Sequence, residues 1–214
     1  MHIKYKKYWR KTGLKNNWGD IFLNIVNNHK PKNFLEIGVF CGVTARNVCE
    51  LLKNIYGDKF SYIGVDLFGN NISNDEKVPN YLIKQQFSNP IKNFFYNIII
   101  RENLNSFESV KKFLKKFSKN VTLIQGNSNY ILKKLDLKKI DFTFLDGGHS
   151  YETVFTDLNL IYSGVKSNPE AIILCDDYED ASYISGVKKA VDQFVKEKNL
   201  KLEIVEKRFA KIHI

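Results

Sequence analysis

Apolar residues along this chain alternate between helical and strand spacing. Spacing of three and four residues predicts helices around residues 18–26, 48–55, 107–117, 131–135, 154–165 and 187–195, and Pro31 ends the first of these. Short apolar runs between them predict strands at residues 33–38, 60–66, 121–125, 140–145, 171–175, 201–206 and 209–214. The pattern therefore predicts an α/β domain.

Strands that alternate with helices favour a Rossmann-like doubly wound sheet of about seven strands, mostly parallel, with helices on both faces. The segments 201–206 and 209–214 are separated by too little chain for a crossover, so we expect a C-terminal antiparallel hairpin. A chain of 214 residues fits a single domain, 1–214, with an N-terminal helical cap at 1–32. Residues 67–105 interrupt the pattern and are rich in aromatic side chains, which predicts a lid-like insertion of short helices over the site.

Composition adds limits on class and location. A hydrophobic content of 43% is enough for a core at this length. The chain has no apolar run of about 18 residues, and its N-terminus lacks the apolar centre of a signal peptide, so a cytoplasmic protein without a membrane span is expected. The net charge of +10 fits either a generic solvated surface or a nucleic-acid partner. A homodimer is one option that the sequence leaves open.

The segment Glu36-Ile37-Gly38-Val39-Phe40-Cys41-Gly42 joins a predicted strand to a predicted helix. Its glycines permit close approach of a ligand to the backbone. The spacing Glu-x-Gly-x-x-x-Gly differs from the Gly-x-Gly-x-x-Gly of dinucleotide folds. It favours a nucleoside cofactor without a pyrophosphate, bound beside Glu36, Gly38 and Gly42.

Acids also follow three other predicted strands, as Asp66, Asp146 and the pair Asp176-Asp177. The carboxyl ends of parallel strands lie on one edge, so we expect these carboxylates and Glu36 to converge on a single crevice. Asp66 is placed to accept hydrogen bonds from ribose hydroxyls, and the alternative is a helix N-cap.

Two further turns carry candidate groups. Asn127 and Ser128 follow the third strand, where either could contact an adenine edge, although Ser128 also fits a plain N-cap. His149 lies on a glycine-rich turn after Asp146 and can take a proton near neutral pH.

The charge of three converging aspartates needs an explanation. Asp146, Asp176 and Asp177 would repel one another unless a cation offset their charge, and hard oxygen ligands suit Mg²⁺ or Ca²⁺. The alternative is that Asp177 merely caps the following segment.

Together these motifs resemble those of class I S-adenosylmethionine-dependent methyltransferases over residues 33–214. The Asp146-Gly147-Gly148-His149-Ser150-Tyr151 turn, followed by Asp176-Asp177-Tyr178, is similar to the branch with macrocin-type sugar O-methyltransferases. Phe40 stands where many members carry a further glycine.

The resemblance implies a role for each candidate. Glu36, Gly38 and Gly42 would flank the methionine part of S-adenosylmethionine, Asp66 the ribose, and Asn127 or Ser128 the adenine. Carboxylates matching Asp146, Asp176 and Asp177 hold Mg²⁺ in metal-dependent members, where the metal eases deprotonation of the acceptor hydroxyl. His149 would be the general base, with Asp146 as the alternative.

The leading prediction is therefore methyl transfer to a hydroxyl of a small molecule or sugar, assisted by a divalent metal. An RNA methyltransferase is the first alternative, suggested by the charge and the basic-aromatic N-terminus. A non-catalytic cofactor-binding protein with this fold is the second.

Overall fold

The computed structural model describes residues 4–69, 87–179 and 185–214. These residues form a seven-stranded sheet in the strand order 3-2-1-4-5-7-6. The strands are β1 (Asn33–Ile37), β2 (Ser61–Asp66), β3 (Val121–Gln125), β4 (Phe142–Leu145), β5 (Ile172–Cys175), β6 (Lys201–Val205) and β7 (Phe209–His213). β1 to β5 are parallel, whereas β7 runs antiparallel to both β5 and β6. The predicted sheet and its C-terminal hairpin are confirmed.

The helices of the described ranges lie between these strands. They are α1 (Trp18–His29), α2 (Val43–Tyr56), α3 (Pro90–Phe94), α4 (Phe107–Phe113), α5 (Ser128–Ile131), α6 (Tyr151–Val165) and α7 (Ser185–Lys198). A π-helical segment, Phe95–Ile100, continues α3, and 3₁₀ turns follow α4 at Lys115–Phe117 and α5 at Leu132–Lys134. No helix in these ranges is long and apolar enough to cross a membrane.

The core is divided by the sheet into two apolar layers. Consecutive strand residues alternate between them: Phe34 packs with side chains of α1 and α2, while Leu35 packs with side chains of α6 and α7. This period-two alternation places helices on both faces, as predicted.

Strand ends differ slightly from the predicted ones. β1 ends at Ile37 because Gly38 turns the chain with φ +94°. β4 begins at Phe142, since the amide of Ile140 closes a turn onto the carbonyl of Leu137 (2.9 Å).

The predicted insertion at 67–105 is described only in part. Its stretch at 87–105 contains α3 and the π-helical segment, so short helices are present there. Residues 70–86, with the predicted aromatic Tyr81, lie outside the described residues.

Candidate active site

The glycine turn and the end of β4 meet because Gly38 has no side chain. A Cβ on Gly38 would lie 2.0 Å from the carbonyl oxygen of Asp146. The next turn residue, Phe40, takes φ +50°, a left-handed conformation that glycine adopts more easily. Phe40, where the resemblance would place a further glycine, thus takes a backbone conformation typical of glycine.

Glu36 lies at the end of β1 and is fully buried. Tyr62 donates a hydrogen bond to its Oε2, and Oε1 has no hydrogen-bond partner among the described residues. Burial raises the pKa of Glu36 to about 8, while the hydrogen bond from Tyr62 lowers it. The raised pKa disfavours the ionised carboxylate in the free protein, and Oε1 keeps acceptor capacity that no group of the described residues uses.

Asp66 connects the glycine turn to the end of β2. Its Oδ2 accepts from the amide of Phe40 (2.7 Å) and its Oδ1 from the amide of Phe68 (2.5 Å). Burial raises the pKa of Asp66, and these amide hydrogen bonds oppose the rise. Asp66 therefore holds the shape of the glycine turn, and it keeps lone pairs for a ligand.

The turn after β3 is held by a buried acid that sequence reasoning missed. Asn127 caps α5 by accepting from the amide of Asn129 (2.9 Å), so the cap predicted for Ser128 belongs to Asn127. Ser128 instead donates to Oδ2 of Asp157 (2.7 Å), which is fully buried on α6. Asn129 also donates to Asp157, at 2.6 Å. Asp157 thus fixes Ser128 directly and holds Asn129, whose amide Asn127 caps.

Asp146, Asp176 and Asp177 meet beyond the ends of β4 and β5, as predicted. Each offers a carboxylate oxygen within 4.8 Å of the others. Burial and the two neighbouring carboxylates raise the pKa of Asp146 well above its usual range. Asp177 takes φ +57°, the left-handed conformation that turns its side chain toward the group.

Arg208 is the fixed cation of this cluster. Its Nε and Nη2 contact Oδ1 and Oδ2 of Asp176, both at 2.6 Å, and Nη2 lies 3.4 Å from Oδ1 of Asp177. The side chain of Asp176 is only 1% exposed. A bidentate arginine–carboxylate pair of this kind fixes the orientation of Asp176 as well as its charge.

His149 lies at the open side of the cluster. Its Nε2 is 3.5 Å from Oδ2 of Asp177, and 36% of its side chain is exposed. Gly186 packs closely against the turn that carries His149. A Cβ on Gly186 would lie 2.3 Å from the carbonyl oxygen of His149. The structure therefore brings His149 to the three aspartates while keeping it accessible.

The N-terminal segment crosses the same edge. The amide of Tyr5 donates to Asp20, its hydroxyl bonds Thr44 at the start of α2, and Arg10 donates to the carbonyl of Cys41 (2.9 Å) in the glycine turn. A Cβ on Gly13 would lie 3.9 Å from Oδ2 of Asp146. Residues 5–13 thus reach from the glycine turn to the aspartate cluster.

Arg208 and Asp157 were the main omissions of sequence reasoning. β7 pairs with β5 in antiparallel register, with Cys175 opposite Ala210, so the turn before β7 lies beside Asp176. The sequence predicts that the last two strands pair with each other, but it does not predict which of them lies next to β5. The contact between Arg208 and Asp176 could therefore not be predicted. For Asp157, the available signal was a charged residue among the apolar positions of α6.

The sequence matches a protein family described as a methyltransferase domain over residues 35–178. The match covers more than half of the chain, so this protein belongs to that methyltransferase family. The family predicted from the motifs is confirmed, whereas the narrower similarity to the macrocin-type branch stays a prediction.

Several solved structures of other proteins have a similar fold. A putative caffeoyl-CoA O-methyltransferase from Staphylococcus aureus has a TM-score of 0.64 at 12% identity, covering 95% of this chain and 86% of that one. The methyltransferase PaMTH1 of Podospora anserina, solved with S-adenosylhomocysteine, gives 0.58 at 17% identity over 91% and 76%. A TDP-rhamnose 3′-O-methyltransferase of calicheamicin biosynthesis gives 0.58 at 15% identity over 94% and 81%.

One viral protein is similar in sequence. An uncharacterized protein of Acanthamoeba polyphaga mimivirus is 35% identical over 95 residues. That match spans 41% of this chain and 42% of the viral protein.

Proposed function

We propose that this methyltransferase uses S-adenosylmethionine to methylate a hydroxyl of a small molecule or sugar, with a divalent metal at the three aspartates. The observation that supports this most is the meeting of Asp146, Asp176, Asp177 and His149 beside the glycine turn. One edge of the sheet thus combines a cofactor loop, a cation-binding set and a proton acceptor.

The residues at the ends of β1, β2 and β3 suit S-adenosylmethionine. Oε1 of Glu36 is a buried acceptor without a hydrogen-bond partner in the described ranges. An unsatisfied buried acceptor destabilises the fold, and a ligand that donates a hydrogen bond would remove this cost. An amine-bearing ligand beside Gly38 and Gly42 would supply that donor. Asp66 keeps acceptor capacity for ribose hydroxyls. Asn127, the cap of α5, and Ser128, held by Asp157, would border the adenine.

The carboxylates that follow β4 and β5 form a set of ligands that suits Mg²⁺. Three carboxylates within one group provide hard oxygen ligands, and Arg208 orients Asp176 as partners of metal ligands often do. When bound, the metal would act as a Lewis acid that favours ionisation of the acceptor hydroxyl. The single charge of Arg208 does not neutralise three carboxylates, which leaves a reason for a second cation.

The acceptor hydroxyl would give up its proton to His149 while its oxygen forms a bond to the methyl carbon and the carbon–sulfur bond breaks. His149 suits this role because it is exposed, and Asp177 beside it would stabilise the imidazolium. Asp146 is the alternative proton acceptor. The remaining work of the site is alignment of the hydroxyl with the methyl group.

The proposal can be tested with tritiated S-adenosylmethionine and a panel of catechols, flavonols and nucleotide-linked sugars. Transfer that needs Mg²⁺, is stopped by a chelator and falls in His149→Ala would support it. Methyl transfer at full rate in the presence of the chelator would show that the reaction does not need a metal. Tight cofactor binding with no transfer to any acceptor would favour a non-catalytic protein.

A further inference from the structure

An apolar surface covers the outside of α3 and the π-helical segment after it. Neither element has a buried residue. Seven of the nine large apolar side chains exposed in the described ranges lie here or beside it: Trp9, Ile91, Phe94, Phe95, Ile98, Ile99 and Ile100. We call these seven residues the apolar surface. Their exposed fractions run from 37% at Phe95 to 71% at Ile91, and a patch of this kind marks an interaction site.

The spacing of the apolar surface is that of an amphipathic helix. Ile91, Phe94, Phe95, Ile98 and Ile99 recur at intervals of three and four residues across α3 and the π-helical segment, and all five side chains are exposed. Trp9 joins them from the N-terminal segment, because Nζ of Lys92 lies 4.8 Å from the centre of its ring.

Basic side chains border the apolar surface. Lys92 and Arg101 belong to the same stretch, and Nζ of Lys11 lies 5.4 Å from the ring centre of Phe87 at its start. Residues 87–101 contain no Asp or Glu, and neither do residues 4–15, which carry six Lys or Arg. Within residues 87–101 the surface therefore combines isoleucine and aromatic side chains with basic residues and no acid; Glu102 follows this stretch, and Lys6 of the N-terminal segment pairs with Glu50.

This chemistry selects among the possible occupants. A second copy of the chain would bring two positive surfaces together, which like charges oppose. Single-stranded RNA binds through aromatic stacking, whereas four of the seven side chains are isoleucines, which cannot stack. Apolar side chains with basic neighbours and a tryptophan are typical of helices that lie in the interface of an anionic membrane.

We propose that the apolar surface docks this protein peripherally on anionic lipid membranes. Ile91, Ile98 and Ile99 would enter the boundary between headgroups and acyl chains, and Lys92 and Arg101 would contact the headgroups. The N-terminal segment that carries Trp9 also contacts the glycine turn through Arg10, so the docked face lies next to the candidate active site.

The test is sedimentation of the full-length protein with vesicles. The vesicles are phosphatidylcholine alone or phosphatidylcholine with 30% phosphatidylserine, at 50 and 300 mM NaCl. We expect binding to the anionic vesicles, weakened severalfold by the higher salt. The double substitution Ile98→Asp/Ile99→Asp should lower the partition coefficient at least about tenfold, and Lys92→Ala about fivefold. The control Ile204→Asp removes an apolar side chain that is 38% exposed on β6, and it should leave binding unchanged.

Three outcomes would overturn the proposal. The first is no binding to anionic vesicles at 50 mM NaCl. The second is equal binding by wild type and the double variant, both with native circular dichroism, because charge alone would then account for it. The third is a wild-type dimer in analytical ultracentrifugation that the double variant loses, since the surface would then be an interface between copies.

Discussion

The two halves of the sheet edge treat their carboxylates differently. On the side of β1 and β2, Glu36 and Asp66 are each held separately, by Tyr62 and by backbone amides. On the side of β4 and β5, Asp146, Asp176 and Asp177 face one another, and Arg208 and His149 form ion pairs with this group.

The difference shows how one edge can serve two purposes. A carboxylate satisfied by protein donors is a rigid part of a loop, and it can position a neutral or cationic ligand without further charge balance. Three carboxylates in contact store repulsion that a bound cation relieves. The first half is therefore suited to holding a cofactor, and the second to holding a cation next to a proton acceptor. Four substitutions test this contrast.

The largest effect is expected from Asp146→Asn. The variant keeps the shape of the side chain but removes a metal ligand and a charge, so methyl transfer should fall about 10²- to 10⁴-fold. Without metal, its melting temperature should equal or exceed that of wild type, because a repulsive charge is gone. Asp136→Asn is the control, since Asp136 lies away from the cluster and its main-chain contact is exposed. Unchanged activity in Asp146→Asn would contradict the chemical role of this half.

Asp176→Ala should behave in the opposite way on stability. It leaves the guanidinium of Arg208 without its bidentate partner, a loss that costs about 3–5 kcal/mol for a buried pair. We expect a drop in melting temperature of about 6–20 °C by calorimetry. The double variant Asp176→Ala/Arg208→Ala should recover part of that loss. If Asp176→Ala instead melts within about 2 °C of wild type, it has lost no more than about 1 kcal/mol of stability. That result would show that the fold does not depend on the Asp176–Arg208 pair.

In the first half, Asp66→Ala should weaken S-adenosylmethionine binding about tenfold to a hundredfold in titration calorimetry. The variant loses both the proposed ribose contacts and the amide hydrogen bonds that shape the glycine turn. Asp58→Ala is the matched control, because Asp58 is 64% exposed and pairs with Lys53 outside the site. Equal affinity in wild type and Asp66→Ala would refute the ribose role.

The smallest effect is expected from Glu36→Gln and concerns pH. The pKa of Glu36 is raised from 4.5 to about 8 in the folded protein, so the protonated carboxyl stabilises the fold fully below pH 4.5. That contribution declines as pH rises and is lost above about pH 8. Glutamine resembles the protonated form, so Glu36→Gln should melt at least about 4 °C above wild type at pH 8.5, with a difference that shrinks toward pH 5.

Thermal melts from pH 5 to 9 would check this prediction, with Glu206→Gln, at an exposed residue of the turn between β6 and β7, as control. Parallel melting curves for wild type and Glu36→Gln across this range would show that Glu36 does not titrate with folding.

Much of the architecture was predictable because periodicity reports local geometry directly. The apolar alternation of residues 121–125 and the helical spacing of 154–165 identify their elements without tertiary information. The acids at Glu36, Asp66 and Asp146 were predictable as one edge because parallel strands share a direction. The pairing of Ser128 with Asp157 was not, since it joins positions 29 residues apart whose contact depends on packing.

The sequence by itself determined the α/β class, the glycine turn and the acids at the ends of β1, β2, β4 and β5, because each depends on neighbouring residues. Only the tertiary structure decided which groups those acids meet. Arg208 reaches Asp176 because β7 inserts between β5 and β6. Likewise, Gly13 lies near Asp146 because the N-terminal segment crosses the sheet edge. Such partners come from distant parts of the chain, and their contacts are set by strand order and packing, which local patterns do not encode.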